Sequence, residues 1–189
     1  MAEWFDFQHF PVLETERLVL RELVETDAQA LFEYFREPEY TRFVSFDIHT
    51  SIEQTRDFIN FMTTIYQQKD SIRWGIELKS DKHLIGTAGL HFWKRNIRCA
   101  EVGYHIGQSY WRQGFATEVL EALVGFGFQH MNLNRIEGRH NAGNDASGRV
   151  MQKIGFQKEG IWRQREIKFG QFVDVVQFSL LREEYNASR

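Results

Sequence analysis

The chain has 189 residues, a formal net charge of -3, 17 Phe, 5 Trp and only 2 Pro. This length and composition suffice for one folded domain and exclude a disordered, proline-rich chain. Acidic and basic residues are mixed along the chain, which argues against nucleic-acid binding. No apolar run approaches the roughly 20 residues of a membrane span, and the first residues lack the basic segment of a signal peptide. The single cysteine, Cys99, allows no internal disulfide, so we expect a cytoplasmic protein.

The first half of the chain predicts one strand followed by two helices. Apolar residues alternate over residues 17–23, which favours a strand. Capping-box patterns at residues 26–29 and 50–53 predict the starts of two helices, and Pro38 ends the first of them. Between the helices lies an aromatic loop, residues 40–46, which either closes the core or forms one wall of a binding cleft.

The second half predicts a sheet. Three strands with short turns between them indicate an antiparallel meander, and a helix, a further strand, a second helix and a hairpin follow. The third meander strand, the first of these helices and the next strand form a crossover unit, which implies one parallel pair in a mixed, mostly antiparallel sheet. No linker or repeat interrupts the chain, so we expect a single domain. The predicted strands are 73–78, 83–93, 101–106, 134–140, 160–168 and 171–181.

The connection between the strand at 101–106 and the following helix has the features of an anion site. The first N–H groups of a helix lack partners within the helix and lie at the positive end of its dipole. Gly114 and Ala116 would let a phosphate approach the backbone, and Arg112 adds a positive charge. An ordinary strand-to-helix connection is the alternative, because the glycine spacing fits neither a P-loop nor a dinucleotide fingerprint.

Four motifs occur together along the chain. They are Thr15 to Arg21; Glu101 to Tyr104 followed by Trp111 to Glu118; the run from Asn144 through Ser147, Lys153 and Gly155 to Gly160; and Gly170-x-x-x-Asp174. With these motifs, which cover nearly the whole chain, the protein resembles the GNAT N-acetyltransferases and, among them, the RimJ/RimL-like branch. The resemblance implies one N-acetyltransferase domain over residues 1–189. Its fold would be α+β with three layers, in which helices cover both faces of the mixed sheet.

The resemblance implies acetyl-CoA as the acetyl donor and no metal ion. The pyrophosphate would lie on the N–H groups of residues 112–117, and the pantetheine arm would pair with the strand backbone at Tyr104 and Ile106. Asn144 would contact pantetheine as well as cap its helix. Trp111 departs from the broad superfamily pattern of Gln or Arg but is typical of the branch. The implied cofactor-binding residues are Tyr104, His105, Ile106, Trp111, Arg112, Gln113, Gly114, Phe115, Ala116, Thr117, Asn144 and Ser147.

Amide formation requires a neutral amine and a proton for the departing thiolate, so an acid and a base are expected. Ser147, in the first turn of its helix, is the candidate acid, and a plain helix serine is the alternative. Glu166 and Glu101 compete as the base. We favour Glu166, although it could instead form an ion pair with Arg163 or Lys168.

Three further side chains near this site are polar or titratable. Tyr104 could serve as an acid and His105 could titrate usefully, but packing and a satisfied strand histidine are the interpretations we favour. Asp174 is expected to bond within the hairpin.

The resemblance leaves the acceptor open. The leading hypothesis is direct acetyl transfer to a protein N-terminal α-amino group, of the ribosomal-protein type. The alternatives are a small-molecule amine, such as a polyamine or an antibiotic, and a module that binds acyl-CoA without turnover. The expected partners are therefore acetyl-CoA and an amine, with no nucleic acid and no membrane, and homo-oligomer formation is left open.

Overall fold

The computed structural model describes residue 5, residues 7–43 and residues 47–187. Its strands are β1 (Leu13–Glu14), β2 (Leu18–Arg21), β3 (Ile72–Leu78), β4 (Leu84–Lys94), β5 (Cys99–Ile106), β6 (Arg135–Asn141), β7 (Gln157–Lys168) and β8 (Gln171–Leu181). Its α-helices are α1 (Ala28–Phe35), α2 (Pro38–Thr41), α3 (Ile52–Gln67), α4 (Phe115–Gln129), α5 (Asp145–Lys153) and α6 (Arg182–Ala187).

The eight strands form one mixed sheet in the order β1-β2-β3-β4-β5-β6-β8-β7. All neighbouring pairs are antiparallel except β5 and β6, which are joined by the crossover helix α4 and run parallel. This confirms the predicted mixed sheet and its parallel pair. The short strand β1 was not predicted, and the hairpin returns so that β8 rather than β7 lies beside β6.

Helices cover both faces of the sheet, which confirms the predicted three-layer α+β fold. On one face α4 packs so closely that a Cβ at Gly127 would lie 2.9 Å from the Ile136 side chain. On the other face α1 and α3 enclose a smaller apolar cluster that includes Leu23 and Leu84 of the strand layer. The sheet therefore separates two packed layers, and successive residues of one strand face different layers.

The first predicted capping box is wrong. Helix α1 begins at Ala28 after a short 3-10 turn, Glu25–Asp27. The Asp27 carboxylate accepts the Val24 N–H at 2.9 Å and pairs with Arg21 at 2.8 Å. Asp27 therefore ties the end of β2 to the entry of the turn, a role that the capping-box pattern does not reveal.

Two other helix starts differ in detail from their predictions. The second capping box begins one residue later than predicted, with Ser51 as N-cap and the Gln54 side chain accepting the Ser51 N–H at 3.3 Å. Asn144 occupies the N-cap position of α5, but its side chain makes no capping hydrogen bond. In the aromatic loop, Tyr40 ends up buried in α2, and residues 44–46 lie outside the described residues.

Across the described ranges, no helix is long and apolar enough to cross a bilayer.

Candidate active site

The parallel pair β5 and β6 separates partway along its length. The last residues in register are Val102 and Gly138. Beyond them β5 continues beside β4 alone, with the Gly107 N–H donating to the Ile85 carbonyl at 2.8 Å. Because the bonds of an antiparallel ladder alternate, the N–H groups of Tyr104 and Ile106 face away from β4, toward the gap.

The loop after β5 is anchored at this gap. The Trp111 indole N–H donates to the Ile106 carbonyl at 2.7 Å. Trp111 therefore fastens the loop to the strand end, and the Ile106 carbonyl is already used by the protein. This leaves the two N–H groups and the Tyr104 carbonyl as the backbone groups that a ligand in the gap could meet.

A cavity of about 810 Å³ includes the gap between β5 and β6 and extends to the helices α4 and α5. Every predicted cofactor-binding residue except Gln113 lines it. Basic side chains line its α4–α5 end: Arg112 in the loop, and Arg149 and Lys153 on α5. Sequence reasoning missed the latter pair, although their i, i+4 spacing on a helix that starts at Asn144 could have shown it.

The geometry of the predicted phosphate site comes from unusual backbone angles. Gly114 is the N-cap of α4 with φ of +85°, and Arg112 has φ of +60°. Such left-handed residues turn the chain sharply, so that the N–H groups at the start of α4 open into the cavity. The first turn of α4 thus has the geometry that an anion requires.

A clamp from the turn between β1 and β2 holds this loop. Arg17 donates to the Gln113 carbonyl at 3.0 Å and pairs with Glu118 of α4 at 2.7 Å. The Thr15 hydroxyl also donates to Glu118 at 2.5 Å. Gln113 therefore supports the loop through its backbone. The presence of Thr15 and Arg17 in the first motif is therefore explained, because both side chains hold the start of α4.

Two hydroxyl groups meet on the α5 side of the gap. The Tyr104 Oη and Ser147 Oγ atoms are 2.9 Å apart, and either can be the donor. Burial raises the pKa of Tyr104 to about 12, against a smaller opposite effect of the Ser147 hydrogen bond. The pair is therefore protonated near neutral pH and can supply a proton to a group in the cavity.

Two carboxylates meet on the opposite face of the sheet. Glu101 and Glu166 both pair with Arg139, at 2.9 Å and 3.4 Å. Burial raises the pKa of the Glu101 carboxyl, an effect that Arg139 opposes and that the negative charges of Glu137 and Glu166 increase.

Neither carboxylate lines the cavity directly; Arg139 does. The alternative ion pair of Glu166 with Arg163 or Lys168 is wrong, since its partner at ion-pair distance is Arg139 of β6. The expected bond of Asp174 is present, because its carboxylate accepts the Gln164 N–H at 2.8 Å within the hairpin.

The hydroxyl pair and the carboxylate pair approach the gap from different faces. Tyr104 and His105 are successive residues of β5, so they point to opposite sides of the sheet. Tyr104 contacts α5, whereas His105 lies beside Tyr40 of α2, with ring centroids 6.3 Å apart. Burial, with the nearby charges of Arg73 and Lys168, lowers the pKa of His105 to about 3, so this histidine is neutral at physiological pH.

A family model described as an acetyltransferase (GNAT) domain matches residues 17–157. The chain therefore belongs to the GNAT acetyltransferases. It is 42% identical over 173 residues to the uncharacterized N-acetyltransferase YoaA of Bacillus subtilis (strain 168), and this match covers 92% of the chain and 98% of YoaA.

Two solved structures share the fold at 20% identity. RimL, a ribosomal L7/L12 alpha-N-protein acetyltransferase in complex with coenzyme A, superposes with a TM-score of 0.83 over 90% of this chain and 98% of that chain. Spermidine N-acetyltransferase from Vibrio cholerae, in complex with CoA and spermine, superposes with a TM-score of 0.80 over 91% and 99%. The predicted family is confirmed, and the protein is an acetyltransferase that uses acetyl-CoA. The predicted RimJ/RimL-like branch agrees with sequence similarity to the ribosomal protein uS5-alanine N-acetyltransferase of Escherichia coli (strain K12), 24% identical over 182 residues that cover 94% of each chain.

Replacing Gly114 by Ala should weaken acetyl-CoA binding about tenfold. A left-handed residue other than glycine is strained by roughly 1–2 kcal/mol, so the free loop should relax and binding must restore it. Titration calorimetry with acetyl-CoA measures the change. Gly170→Ala is the matched control, because Gly170 is also left-handed, with φ of +74°, but lies in the distant hairpin turn. Equal Kd values for both variants and the wild type would contradict this role of the loop.

Proposed function

We propose that this acetyltransferase moves the acetyl group of acetyl-CoA directly to the N-terminal α-amino group of a protein. The observation that carries the proposal is the gap between β5 and β6, which has proton donors on one face and carboxylates on the other. A thioester lying in this gap would present its carbonyl carbon between the two sets of groups. Acetyl-CoA supplies the activated thioester, and the residues of the chain position it and move protons.

The cavity fits such a cofactor. The end of the cavity beside α4 and α5 offers the N–H groups at the start of α4 together with Arg112, Arg149 and Lys153. These groups suit the binding of phosphates. The backbone of Tyr104 and Ile106 in the gap would pair with the amide groups of the pantetheine arm. Asn144, beside the hydroxyl pair, would contact the same arm.

The protonation state of Cys99 agrees with direct transfer, in which no acetyl-cysteine intermediate forms. Cys99 is buried, and burial together with the Glu137 carboxylate raises its pKa to about 11. At neutral pH it is a thiol rather than a thiolate, which makes it a poor nucleophile. Ser147, supported by Tyr104, would instead protonate the departing sulfur.

As the base, the structure favours Glu101 over Glu166. Both carboxylates contact Arg139, but Glu101 is the more deeply buried, and its pKa is raised. A carboxylate with a raised pKa holds a proton more strongly and is therefore a better acceptor from an ammonium group. Glu101 does not line the cavity, so it would take the proton through a water molecule beside Arg139.

The charges at the acceptor end favour a peptide N-terminus over a polyamine. Arg42, Arg73, Arg139 and Lys168 lie around this end, where Glu39, Glu101 and Glu166 are already paired with two of those cations. A polyamine carries several positive charges and would require unpaired acids. A peptide N-terminus loses its one positive charge before transfer and brings acceptor carbonyls. The cytoplasmic location and any oligomeric state remain predictions.

The acceptor class can be tested by measuring free thiol release from acetyl-CoA. With saturating acetyl-CoA, peptides with free N-termini should be acetylated with a kcat/KM at least tenfold above that of spermidine. The same peptides with blocked N-termini are the controls for lysine acetylation. Turnover of spermidine alone would contradict the proposal and would support the small-molecule alternative. Acetyl-CoA binding with no turnover on any amine would support a non-catalytic module.

The two carboxylates can be distinguished by their glutamine variants. Glu101→Gln should lower kcat/KM at neutral pH by about 10²-fold, the usual scale for one acid-base group. High pH should partly restore the rate, because the amine then arrives neutral. In the wild type, the rate should rise with pH as the base loses its proton, and the raised pKa of Glu101 moves this rise upward in pH.

Two further variants complete that experiment. Glu166→Gln should cost less than Glu101→Gln, since Glu101 still neutralises Arg139. Glu159→Gln is the matched control, because Glu159 is also paired with an arginine of β6, but with Arg135 rather than Arg139. A severe loss in Glu166→Gln with near wild-type rates in Glu101→Gln would assign the base to Glu166.

A further inference from the structure

A row of three residues crosses the sheet on its acceptor face. Arg73 of β3 is in register with Gly89 of β4, which is in register with Gly103 of β5. Because the two glycines have no side chains, the Arg73 side chain can extend over β4 toward the cavity. Neighbouring side chains fill this space: a Cβ at Gly89 would lie 2.6 Å from the His91 ring, which contacts Arg73.

Among the described residues, the hydrogen-bond partners of the Arg73 guanidinium are all neutral. It donates to the Thr87 hydroxyl at 2.9 Å and to His91 Nε2 at 2.8 Å, and it lies 3.5 Å from His105 Nδ1. Burial lowers the pKa of both histidines, and the charge of Arg73 lowers it further, so both rings are neutral acceptors.

Two donors at this place have no partner. The Nε atom of Arg73 and the hydroxyl of Tyr40 are both buried and make no hydrogen bond in the described part of the chain. The two groups are near enough for the charge of one to influence the other. A buried donor without a partner is costly, and two such donors side by side indicate a site for a hydrogen-bond acceptor.

The charge of Arg73 is also uncompensated. Other arginines at this end of the cavity have acids: Arg42 pairs with Glu39 at 3.4 Å, and Arg139 pairs with Glu101 at 2.9 Å. Within the described ranges, no acid lies within ion-pair distance of Arg73. Burial lowers the pKa of Arg73 to about 10, so it remains charged at neutral pH. An unpaired buried charge favours binding of an anion.

We propose that Arg73 and Tyr40 form a subsite that binds a carboxylate on the acceptor, which makes the enzyme selective for amines that carry an acidic group. The proposal rests on the proposed function and narrows it to peptides with Asp or Glu as the first residue. Tyr40, Gly103 and His105 line the cavity, so the subsite adjoins the point of transfer. Neighbouring strands are about 4.8 Å apart, and a group held over β4 is therefore within reach of the first side chain of a peptide whose amine lies beside β5.

The test compares two peptides that differ only in having Asp or Asn as the first residue. These side chains have the same shape but differ in charge. Wild-type enzyme should acetylate the Asp peptide with a kcat/KM at least about tenfold higher, as expected for a charge-assisted hydrogen bond. In Arg73→Gln the ratio of the two kcat/KM values should fall to near one. The ratio is measured within each variant, so a general loss of activity cancels.

Three further variants define the subsite. Arg73→Lys should keep part of the preference, because it keeps the charge. Tyr40→Phe should reduce the preference by removing one hydroxyl, and it is the variant to use if Arg73→Gln does not fold. Arg36→Gln is the control, because it makes the same chemical change at an arginine on the exposed surface of the molecule. It should leave the ratio at the wild-type value.

A binding measurement without turnover separates this proposal from the proposed function. L-aspartate should raise the Tm of the wild type more than L-asparagine does, and Arg73→Gln should abolish the difference. If peptides are acetylated with equal kcat/KM and aspartate gives no extra stabilisation, the subsite holds only water and the proposal is overturned. If no peptide is acetylated but aspartate still stabilises through Arg73, the subsite stands and the peptide acceptor is wrong. Failure of both measurements overturns both proposals.

Discussion

The end of pairing between β5 and β6 is the constraint on which the site depends. Two parallel strands that stay in register to Val102 and Gly138 and then separate expose backbone groups in the middle of a sheet. Such groups are costly unless a partner is present, and a ligand with amide groups of its own is a suitable partner. The Trp111 indole fixes the end of β5 to the following loop, so the gap leads directly to the N-terminus of α4. The predicted phosphate site and the gap are therefore parts of one continuous cavity.

The sheet also determines on which face each group of polar side chains lies. Because side chains alternate along β5, Tyr104 faces α5 while Glu101 and His105 face the layer of α1 and α2. In the proposed reaction, the proton donors would consequently lie on the cofactor side and the carboxylates on the acceptor side. Arg139 links the two carboxylates and keeps one positive charge at the cavity wall. An acceptor that reaches the gap therefore meets a set of groups that was ordered before it bound.

The sequence predicted what depends on local pattern. The alternation at residues 101–106, the small residues before α4 and the crossover were sufficient to predict the parallel pair, and the four motifs were sufficient to predict the family. Contacts between distant residues were not predictable. Nothing local shows that Arg17 pairs with Glu118 of α4, because helix packing brings those two residues together. Nothing local shows that Glu166 shares Arg139 with Glu101, because strand pairing brings those three residues together.

The central claim is that acetyl-CoA occupies the gap between β5 and β6, and amide hydrogen exchange tests it most directly. The N–H groups of Tyr104 and Ile106 face the gap, whereas those of Gly103 and His105 face β4. Exchange at Tyr104 and Ile106 should slow markedly when acetyl-CoA is added, while Gly103 and His105 should change little. Unchanged exchange at Tyr104 and Ile106 under saturating acetyl-CoA, with slowing confined to the start of α4, would contradict the account.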